Sequence, residues 1–287
     1  MVEREISIPS FSLAEIERVP ESVFYAGKLE ELPPSFREYS SSHRHNYFAV
    51  FFFLQGAGTH TIDFTEFEIR KNSVFFLKPG QVHSWNFIGR IEGYALKVSS
   101  DFYAQNGFRS SLRDFPFFRY GSTVSGIVPK DIESLRSDFG RLVSSWKAEE
   151  DPRALNAISQ LILLQLEKDY DQVSNFSSRD SKVAEFQRML DEFFLQKRST
   201  AFYARALGLS PALLNKQCKS VLGQSAKSLV HDRIMLEIKR LLIHSDLSLS
   251  EISRDLEFSD SAYFSRYVKI RSGLTPAEIR NRVRKVQ

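Results

Sequence analysis

Polar and basic side chains recur near the C-terminal end of the sequence at the spacing of one helix face. In one stretch Lys219 lies four residues after Asn215 and three after Lys216, which would place the three side chains together on a helix. In a later stretch Arg266 and Lys269 are related in the same way. Lysine and arginine bind phosphate oxygens, and arginine and asparagine also pair with base edges. These residue types at this spacing therefore predict two helices that bind nucleic acid.

The residues around the later stretch predict two short helices joined by a tight turn. Ser248 is a predicted N-cap, and Glu251 would complete a capping box with it. A turn is predicted at Glu257, after which Ser259 or Asp260 would begin the next helix. Its predicted apolar face comprises Tyr263, Phe264, Tyr267 and Val268. Two such helices form the helix-turn-helix design, whose second helix fits the major groove of duplex DNA.

The same design is predicted about fifty residues earlier. Residues 200–207 form its first helix, Gly208 supplies the turn, and Ser210 and Pro211 begin the second helix. The predicted core face of that helix comprises Leu213, Leu214, Cys218, Val221 and Leu222. A longer amphipathic helix over residues 226–243 would join the two designs and fix the distance between them.

Paired motifs of this kind resemble the DNA-binding domain of the AraC/XylS family of bacterial transcription regulators. The resemblance covers about residues 182–285 and is strongest in L-x-F-S-D-x-x-Y-F-S-R-x-x-K-x-x-x-G-x-T-P, which begins at Leu256. Glu257 departs from the family pattern, which usually has glycine in the second turn. The resemblance implies base contacts by Ala212, Asn215, Lys216, Ala262, Tyr263 and Arg266. We expect phosphate contacts from Lys219, Ser261 and Lys269.

The N-terminal half has the pattern of a β-barrel or sandwich, with short apolar strands separated by glycine and proline turns. Residues 48–54 and 59–64 are predicted strands, and Gly56-Ala57-Gly58 is the predicted turn between them. H-x-H at residues 43–45, followed by F-F-L-K-P-G-Q-V-H at residues 75–83, resembles the cupin-like effector domain common at the N-terminus of the same family.

Three histidines in this half could serve different chemistries. His43, His45 and His83 match positions that bind metal in catalytic cupins, but no carboxylate follows the first pair until Asp63. That gap argues against a metal, and we predict neither a metal nor a cofactor. Polar groups lining a pocket, or surface and structural histidines, are the other interpretations, and His60 reads as an ordinary strand residue. The predicted effector-binding residues are His43, His45, Tyr47, His83 and Trp85.

Helical segments and a polar linker separate these two halves. Residues 101–123 are rich in phenylalanine and are predicted to cover the barrel mouth, and helices are predicted over residues 131–146 and 152–170. The family resemblance implies homodimerisation through this helix pair, and an intramolecular hairpin is the alternative. The predicted segments are a cupin-like domain (1–128), a helical hairpin (129–172), a linker (173–181) and a DNA-binding domain (182–287). The predicted fold class is α+β with two domains, the second all-α.

Charge is distributed unevenly along the 287 residues. The whole chain carries a net charge of +4, but residues 1–180 carry −4 and residues 181–287 carry +8. A basic C-terminal part indicates a polyanionic partner for that part alone. The chain contains one cysteine, has an N-terminus unlike a signal peptide and lacks an apolar run of about 18 residues, which together predict a cytoplasmic protein without a membrane span.

The sequence thus predicts a DNA-binding transcription regulator controlled by a small-molecule effector, and not an enzyme. Activation rather than repression is implied by the family resemblance alone, and RNA polymerase is a candidate further partner. Two alternatives stay open at this point. One is a ligand-independent dimeric regulator, and the other is a metal-dependent cupin enzyme with a DNA-binding tail.

Overall fold

The protein folds as two compact units, which are described separately. A computed structural model describes residues 10–11, 24–32, 41–105, 111–121, 126–173 and 181–284. One unit spans Ser10–Ser177 and the other contains Ser178–Gln287. The first is built on a β-sheet and the second is helical, so the predicted two-domain α+β class is confirmed. In the described ranges no helix combines the length and apolarity that a membrane crossing requires.

Two long antiparallel strands form the centre of the first unit. The strands are β1 (Ser10–Phe11), β2 (Phe24–Lys28), β3 (Arg44–His45), β4 (Phe48–Ile62), β5 (Thr65–Ile69), β6 (Ser73–Leu77), β7 (His83–Val98) and β8 (Gly126–Ile127). Among the described strands the order is β2, β7, β4, β6, β8, with β5 paired to β4, while β1 pairs in parallel with β3. Because β4 and β7 pair along almost their whole length, they position everything else in this unit.

The first half of β4 is buried on both faces. Phe48, Val50 and Phe52 point to one apolar cluster, which also contains helix residues from later in the chain. Phe51 and Phe53 point to a second cluster on the opposite face. Successive strand residues alternate between faces, so an uninterrupted apolar run is what a strand between two cores requires.

The glycines after this run bend the strand and do not end it, so the predicted turn at residues 56–58 is wrong. β4 continues through them to Ile62, with its register against β7 shifted between Phe53 and Ala57. Gly58 has φ +126°, and a Cβ there would lie 2.0 Å from the Asn86 carbonyl oxygen. Glycine is required here because the partner strand approaches too closely for any side chain.

The predicted helical hairpin is present and packs on the sheet. Helix α1 spans Ser100–Gln105, α2 spans Ile132–Lys147 and α3 spans Pro152–Val173. α2 begins at the cap Asp131, whose carboxylate accepts a hydrogen bond from the Ser134 N–H. Side chains of α2 and α3 that pack against the first face of β4 include Leu135, Phe139, Leu142, Ile162, Leu166 and Tyr170.

The phenylalanine-rich segment that follows α1 also belongs to this core. Its described residues include short 3₁₀ helices at Leu112–Asp114 and Pro116–Phe118. The Phe117 ring stacks on Phe76 of β6 with centroids 4.1 Å apart and meets Tyr170 of α3 at 5.7 Å. These rings join the cluster on the hairpin side of the sheet, so the described part of the segment packs into the core, and a cover over the barrel mouth stays a prediction.

The second unit is a set of packed helices, and the helices predicted over residues 200–207 and 226–243 are present to within one residue. The helices of this unit are α4 (Ser181–Phe193), α5 (Thr200–Ala206), α6 (Pro211–Leu222), α7 (Ala226–His244), α8 (Leu249–Asp255), α9 (Ser261–Ser272) and α10 (Pro276–Arg284). The predicted capping box forms, because Ser248 Oγ accepts from the Glu251 N–H and Glu251 Oε2 accepts from the Ser248 N–H. Ser210 caps α6 and Asp260, rather than Ser259, caps α9.

The two helix-turn-helix motifs are near copies of each other. The caps Ser210 and Asp260 are fifty residues apart, as are the left-handed glycines Gly223 and Gly273 that end α6 and α9. The turn of the second motif holds one extra residue, because its left-handed position is Glu257, forty-nine residues after Gly208. Glu257 adopts φ +53° where Gly208 adopts +68°, so the glutamate takes the conformation of the family's usual glycine at some steric cost.

Opposite changes at these equivalent turn positions should shift stability in opposite directions. Glu257→Gly is expected to raise the unfolding free energy by about 0.5–1 kcal/mol, because it removes the left-handed strain. Gly208→Ala is expected to lower it by about 1 kcal/mol, although a Cβ at Gly208 meets no atom within 4 Å. Urea unfolding followed by far-ultraviolet circular dichroism measures both. A shift of the same sign in the two variants would contradict the interpretation.

Candidate nucleic-acid interface and ligand site

The predicted DNA contacts lie at matching exposed positions of α6 and α9. The exposed positions are Ala212, Lys216 and Lys219 in α6, and Ala262, Arg266 and Lys269 in α9. Members of each pair are fifty residues apart, as the helix caps are. The four cationic side chains take part in none of the ion pairs formed within residues 181–284. Two helices therefore present exposed cations beside small side chains, a combination that phosphates and base edges can approach.

Asn215 occupies a different environment from its neighbours. Its amide nitrogen donates to the Pro211 carbonyl oxygen at 2.9 Å, and its Oδ1 accepts from the Lys227 N–H at 3.2 Å. Both functional groups of the amide are therefore engaged within the protein. Base contact by Asn215 stays a prediction, and it would require the amide to leave these bonds.

Ser261 and Tyr263, at the start of α9, are exposed but touch neighbouring side chains. The Ser261 hydroxyl donates to Ser250 Oγ of α8 at 3.5 Å. The Tyr263 side chain is 44% exposed, and its ring lies 5.8 Å from that of Phe258 in the turn. Tyr263 therefore combines packing against the turn with a face that is open to a partner.

Leu213 is not in the core, contrary to the prediction. It is 42% exposed, whereas Leu214 and Cys218 of the same helix are fully buried. Its equivalent in the second motif is the exposed Tyr263. Adjacent residues point about 100° apart around a helix, so the buried stripe through Leu214 and Cys218 leaves Leu213 at its border.

The predicted effector residues lie together on the second face of the sheet. β3 carries His45, β4 carries His60, and β7 carries His83 and Trp85. Their side chains are almost fully buried, as is that of His43, which pairs with His83 through a β-bridge. The His43 and His83 ring centroids are 4.2 Å apart, and those of His45 and His83 are 5.1 Å apart. The strand pairing of β4 with β7 thus assembles residues that are distant in sequence.

His60, read from the sequence as an ordinary strand residue, belongs to this cluster. It is paired with Trp85 in the β4–β7 register, and the two rings stack with centroids 3.4 Å apart. Its Nε2 lies 3.2 Å from His83 Nδ1, within hydrogen-bond distance. Only the register between the two long strands brings His60 here, and no motif in the sequence marks it.

Burial keeps these imidazoles neutral. Desolvation lowers the pKa of His43, lowers that of His45 to about 3, and places those of His60 and His83 well below the ordinary 6.5. Mutual repulsion with neighbouring histidines acts in the same direction for His45, His60 and His83. At His45 a hydrogen bond to the backbone partly opposes the lowering of the pKa, because Nδ1 donates to the Tyr47 carbonyl oxygen at 2.9 Å. A neutral ring that donates through Nδ1 leaves Nε2 as a bare acceptor.

Three imidazole nitrogens of this histidine cluster are buried and have no hydrogen-bond partner in the described part of the chain. They are His45 Nε2, His60 Nδ1 and His83 Nε2. Buried polar atoms are normally satisfied by protein, water or a ligand, so these atoms indicate a place where a polar group from outside the chain can bind. Among the described residues no group of three or more His, Cys, Asp or Glu side chains is arranged to hold a metal ion.

Two family profiles match this chain, and several known proteins are similar to it. The profile of the AraC-like ligand binding domain matches residues 35–186, and that of a helix-turn-helix domain matches residues 203–282. The HTH-type transcriptional activator RhaS of Pectobacterium carotovorum is 23% identical over 247 residues, covering 83% of this chain and 87% of RhaS. The arabinose operon regulatory protein of Escherichia coli is 27% identical over 146 residues, covering 50% and 49%. A crystal structure of ToxT from Vibrio cholerae is 14% identical over 90% of this chain and 97% of that one, with a TM-score of 0.45.

A ligand-binding domain followed by paired helix-turn-helix motifs defines an effector-controlled transcription regulator. The ligand-binding profile alone matches more than half of the chain, and the chain belongs to the AraC family. The resemblance drawn from the sequence motifs is confirmed.

Neutral buried histidines should make the first unit sensitive to acid. Below about pH 6.5 the histidines of the unfolded chain become protonated, whereas the buried histidines of the folded chain stay neutral. The unfolding free energy therefore falls as the pH drops from 7 to 5, by up to about 1.4 kcal/mol per pH unit for each histidine. His60→Leu should flatten this dependence by about one proton. The tryptophans, Trp85 and Trp146, both lie in the first unit, so their fluorescence in urea reports its unfolding.

A matched control for this prediction is His231→Leu. His231 lies in α7 of the second unit, so its replacement should leave the pH dependence of tryptophan-detected unfolding unchanged. An unchanged slope in His60→Leu would contradict the assignment of neutral buried histidines.

Proposed function

We propose that this AraC-family chain is a sequence-specific transcription activator that binds duplex DNA through α6 and α9 and responds to a small molecule bound beside the buried histidines. The observation that supports DNA binding most strongly is the repeat of exposed cations on two matched helices, Lys216 with Lys219 and Arg266 with Lys269. Activation, a cytoplasmic location and contact with RNA polymerase are proposed from family membership.

The chemistry of DNA reading follows from the residue types. Arg266 has a planar guanidinium that can donate two hydrogen bonds to guanine, a contact that contributes about 1–3 kcal/mol of discrimination. Lys216 occupies the equivalent position of α6 and can donate to base or phosphate oxygens. Ala212 and Ala262 precede them by one turn, and their small side chains allow the helix to approach the base edges.

Effector binding is supported by the unsatisfied nitrogens of His45, His60 and His83. A ligand shifts the protein between two arrangements only if it binds them with different affinity. Buried polar atoms without partners provide such a difference, because an arrangement that offers them a hydrogen-bond partner is favoured over one that leaves them unpaired.

A ligand-independent regulator is the second candidate. The face of the sheet that carries the histidines is densely filled by its own aromatic rings, since Phe51, Phe53, Phe75 and Trp85 are all almost fully buried there. The two candidates differ in one observable. DNA affinity of the full chain changes on addition of a small-molecule extract of the source cells in the first case and stays constant in the second.

We also propose that the first unit dimerises through α3. Leu161 and Leu164 of this helix are 50% and 48% exposed, and Ala157 lies on the same face one turn earlier. An apolar stripe at this spacing is what a second helix of the same kind can cover. In a dimer a second copy of this helix would cover Leu161 and Leu164, which a monomer leaves exposed to water.

Charge removal from α6 and α9, the recognition helices of the two motifs, tests DNA binding. Lys216→Ala and Arg266→Ala are each expected to weaken binding to a selected duplex about tenfold or more, because each removes a contact made only with DNA. The slope of log affinity against log salt concentration should also become shallower by about one, because each variant releases about one counterion fewer. Lys239→Ala is the matched control, since this exposed lysine lies on α7, the helix between the two motifs. Unchanged affinity in both test variants would refute the proposed interface.

Charge placed on the α3 stripe tests dimerisation. Leu161→Glu with Leu164→Glu is expected to shift the full chain from dimer to monomer at tens of micromolar in sedimentation velocity, because two carboxylates would face two others. Ile88→Glu is the control, as Ile88 is 66% exposed in β7 and outside the stripe. A wild-type chain that sediments as a monomer, or a dimer that survives both substitutions, contradicts this interface.

A further inference from the structure

The N-terminus of α7, the helix between the two motifs, contacts the first recognition helix, α6. The Lys227 N–H donates to Asn215 Oδ1 at 3.2 Å, and the Asn215 amide nitrogen is held by the Pro211 carbonyl oxygen at 2.9 Å. This N–H lies in the first turn of α7, where a helix provides no acceptor for it. A side chain of α6 therefore completes the start of α7.

One turn further along α7, His231 contacts the second recognition helix. Its Nδ1 lies 2.9 Å from the hydroxyl oxygen of Tyr267, in the middle of α9. Partial burial lowers the pKa of His231, as do the nearby charges of Arg271 and Lys227, and burial raises the pKa of Tyr267 to about 12. Both groups are therefore neutral near pH 7, and either can donate to the other.

Arg280 of α10, the helix that follows the second motif, contacts the chain at the opposite end of α7 and just beyond it. From α10, its Nε donates to the Leu242 carbonyl oxygen at 3.1 Å and its Nη2 to that of Leu247 at 2.6 Å. Leu242 follows His231 by eleven residues, which is about 16 Å along a helix. The His231 contact on α9 and the Arg280 contacts on the next helix, α10, are therefore two separate restraints, and together they limit the direction of α9 relative to α7 more than either alone.

We propose that His231 is a positioning residue for DNA recognition, which with Tyr267 sets the angle of α9 and hence the separation between the DNA segments that the two motifs meet. This role rests on the proposed function, because it concerns how α6 and α9 read one duplex together. The Lys227 backbone N–H and the His231 side chain lie about one turn apart on α7, so α6 and α9 are both braced on the same short segment. Such a brace makes affinity depend sharply on the spacing of the two segments.

Removal of single hydrogen-bonding groups tests this role. Tyr267→Phe deletes the hydroxyl and keeps the ring, which contacts Phe258 at a centroid distance of 5.3 Å. This variant, His231→Leu and the double variant are compared with the wild type on the duplex that the wild-type chain enriches from a random pool, and on versions whose segment spacing differs by one or two base pairs. Each single variant should bind the enriched duplex about threefold to tenfold more weakly and depend less on spacing, and the double variant should match them.

Two further variants separate positioning from general stability. His231→Gln keeps a hydrogen-bonding side chain and should recover most of the spacing preference. Tyr203→Phe removes a hydroxyl that donates to the Lys197 carbonyl oxygen at 2.6 Å, far from the α7–α9 contact in the chain, and should lower stability without altering the preference. Unchanged spacing dependence in Tyr267→Phe and His231→Leu overturns the positioning role and leaves the proposed function standing. A wild-type chain that enriches no duplex overturns both.

Discussion

A buried network of ion pairs on α7 determines how the second unit is assembled. Arg233 contacts Asp191 of α4 at 3.0 Å and Glu237 at 3.2 Å, and Glu237 also pairs with the buried Arg240 at 2.9 Å. Removing one member of such a network leaves a buried charge without its counter-charge, which typically costs about 3–5 kcal/mol. Few arrangements of α4 and α7 satisfy all of these groups. Since both motifs project from α7, the geometry of DNA reading depends on charges that no DNA contacts.

The first unit is organised around the shared strands β4 and β7. Phe51 and Phe52 are neighbours in sequence, yet one packs with the histidine face and the other with the helical hairpin. A ligand that displaces the histidine face therefore moves a strand on which α2 and α3 also rest. This is a short physical route from the proposed ligand site to the exposed leucines of α3, and it requires no contact between the ligand and the hairpin.

Local signals predict most helices of the second unit, whereas the first unit depends on pairing between strands that are distant in sequence. Ser210, Ser248 and the glycines that end the recognition helices act on their own neighbours, so the sequence predicts those helices closely. The predicted turn at Gly58 is wrong because a glycine can either end a strand or allow a neighbouring strand to approach closely. Only the position of β7 decides between these two roles. His60 was missed for the same reason. Contacts between helices, such as that of His231 with Tyr267, depend on packing that periodicity does not encode.

The central claim is that two braced recognition helices read two segments of one duplex. Sequences enriched from a random duplex pool by the full-length wild-type chain test it most directly. The account predicts an enriched motif with two conserved segments whose centres lie roughly one helical turn, about 10 base pairs, apart within the site of one chain. Enrichment of a single short segment would contradict the joint use of α6 and α9, and salt-sensitive binding without any enriched motif would contradict sequence-specific recognition.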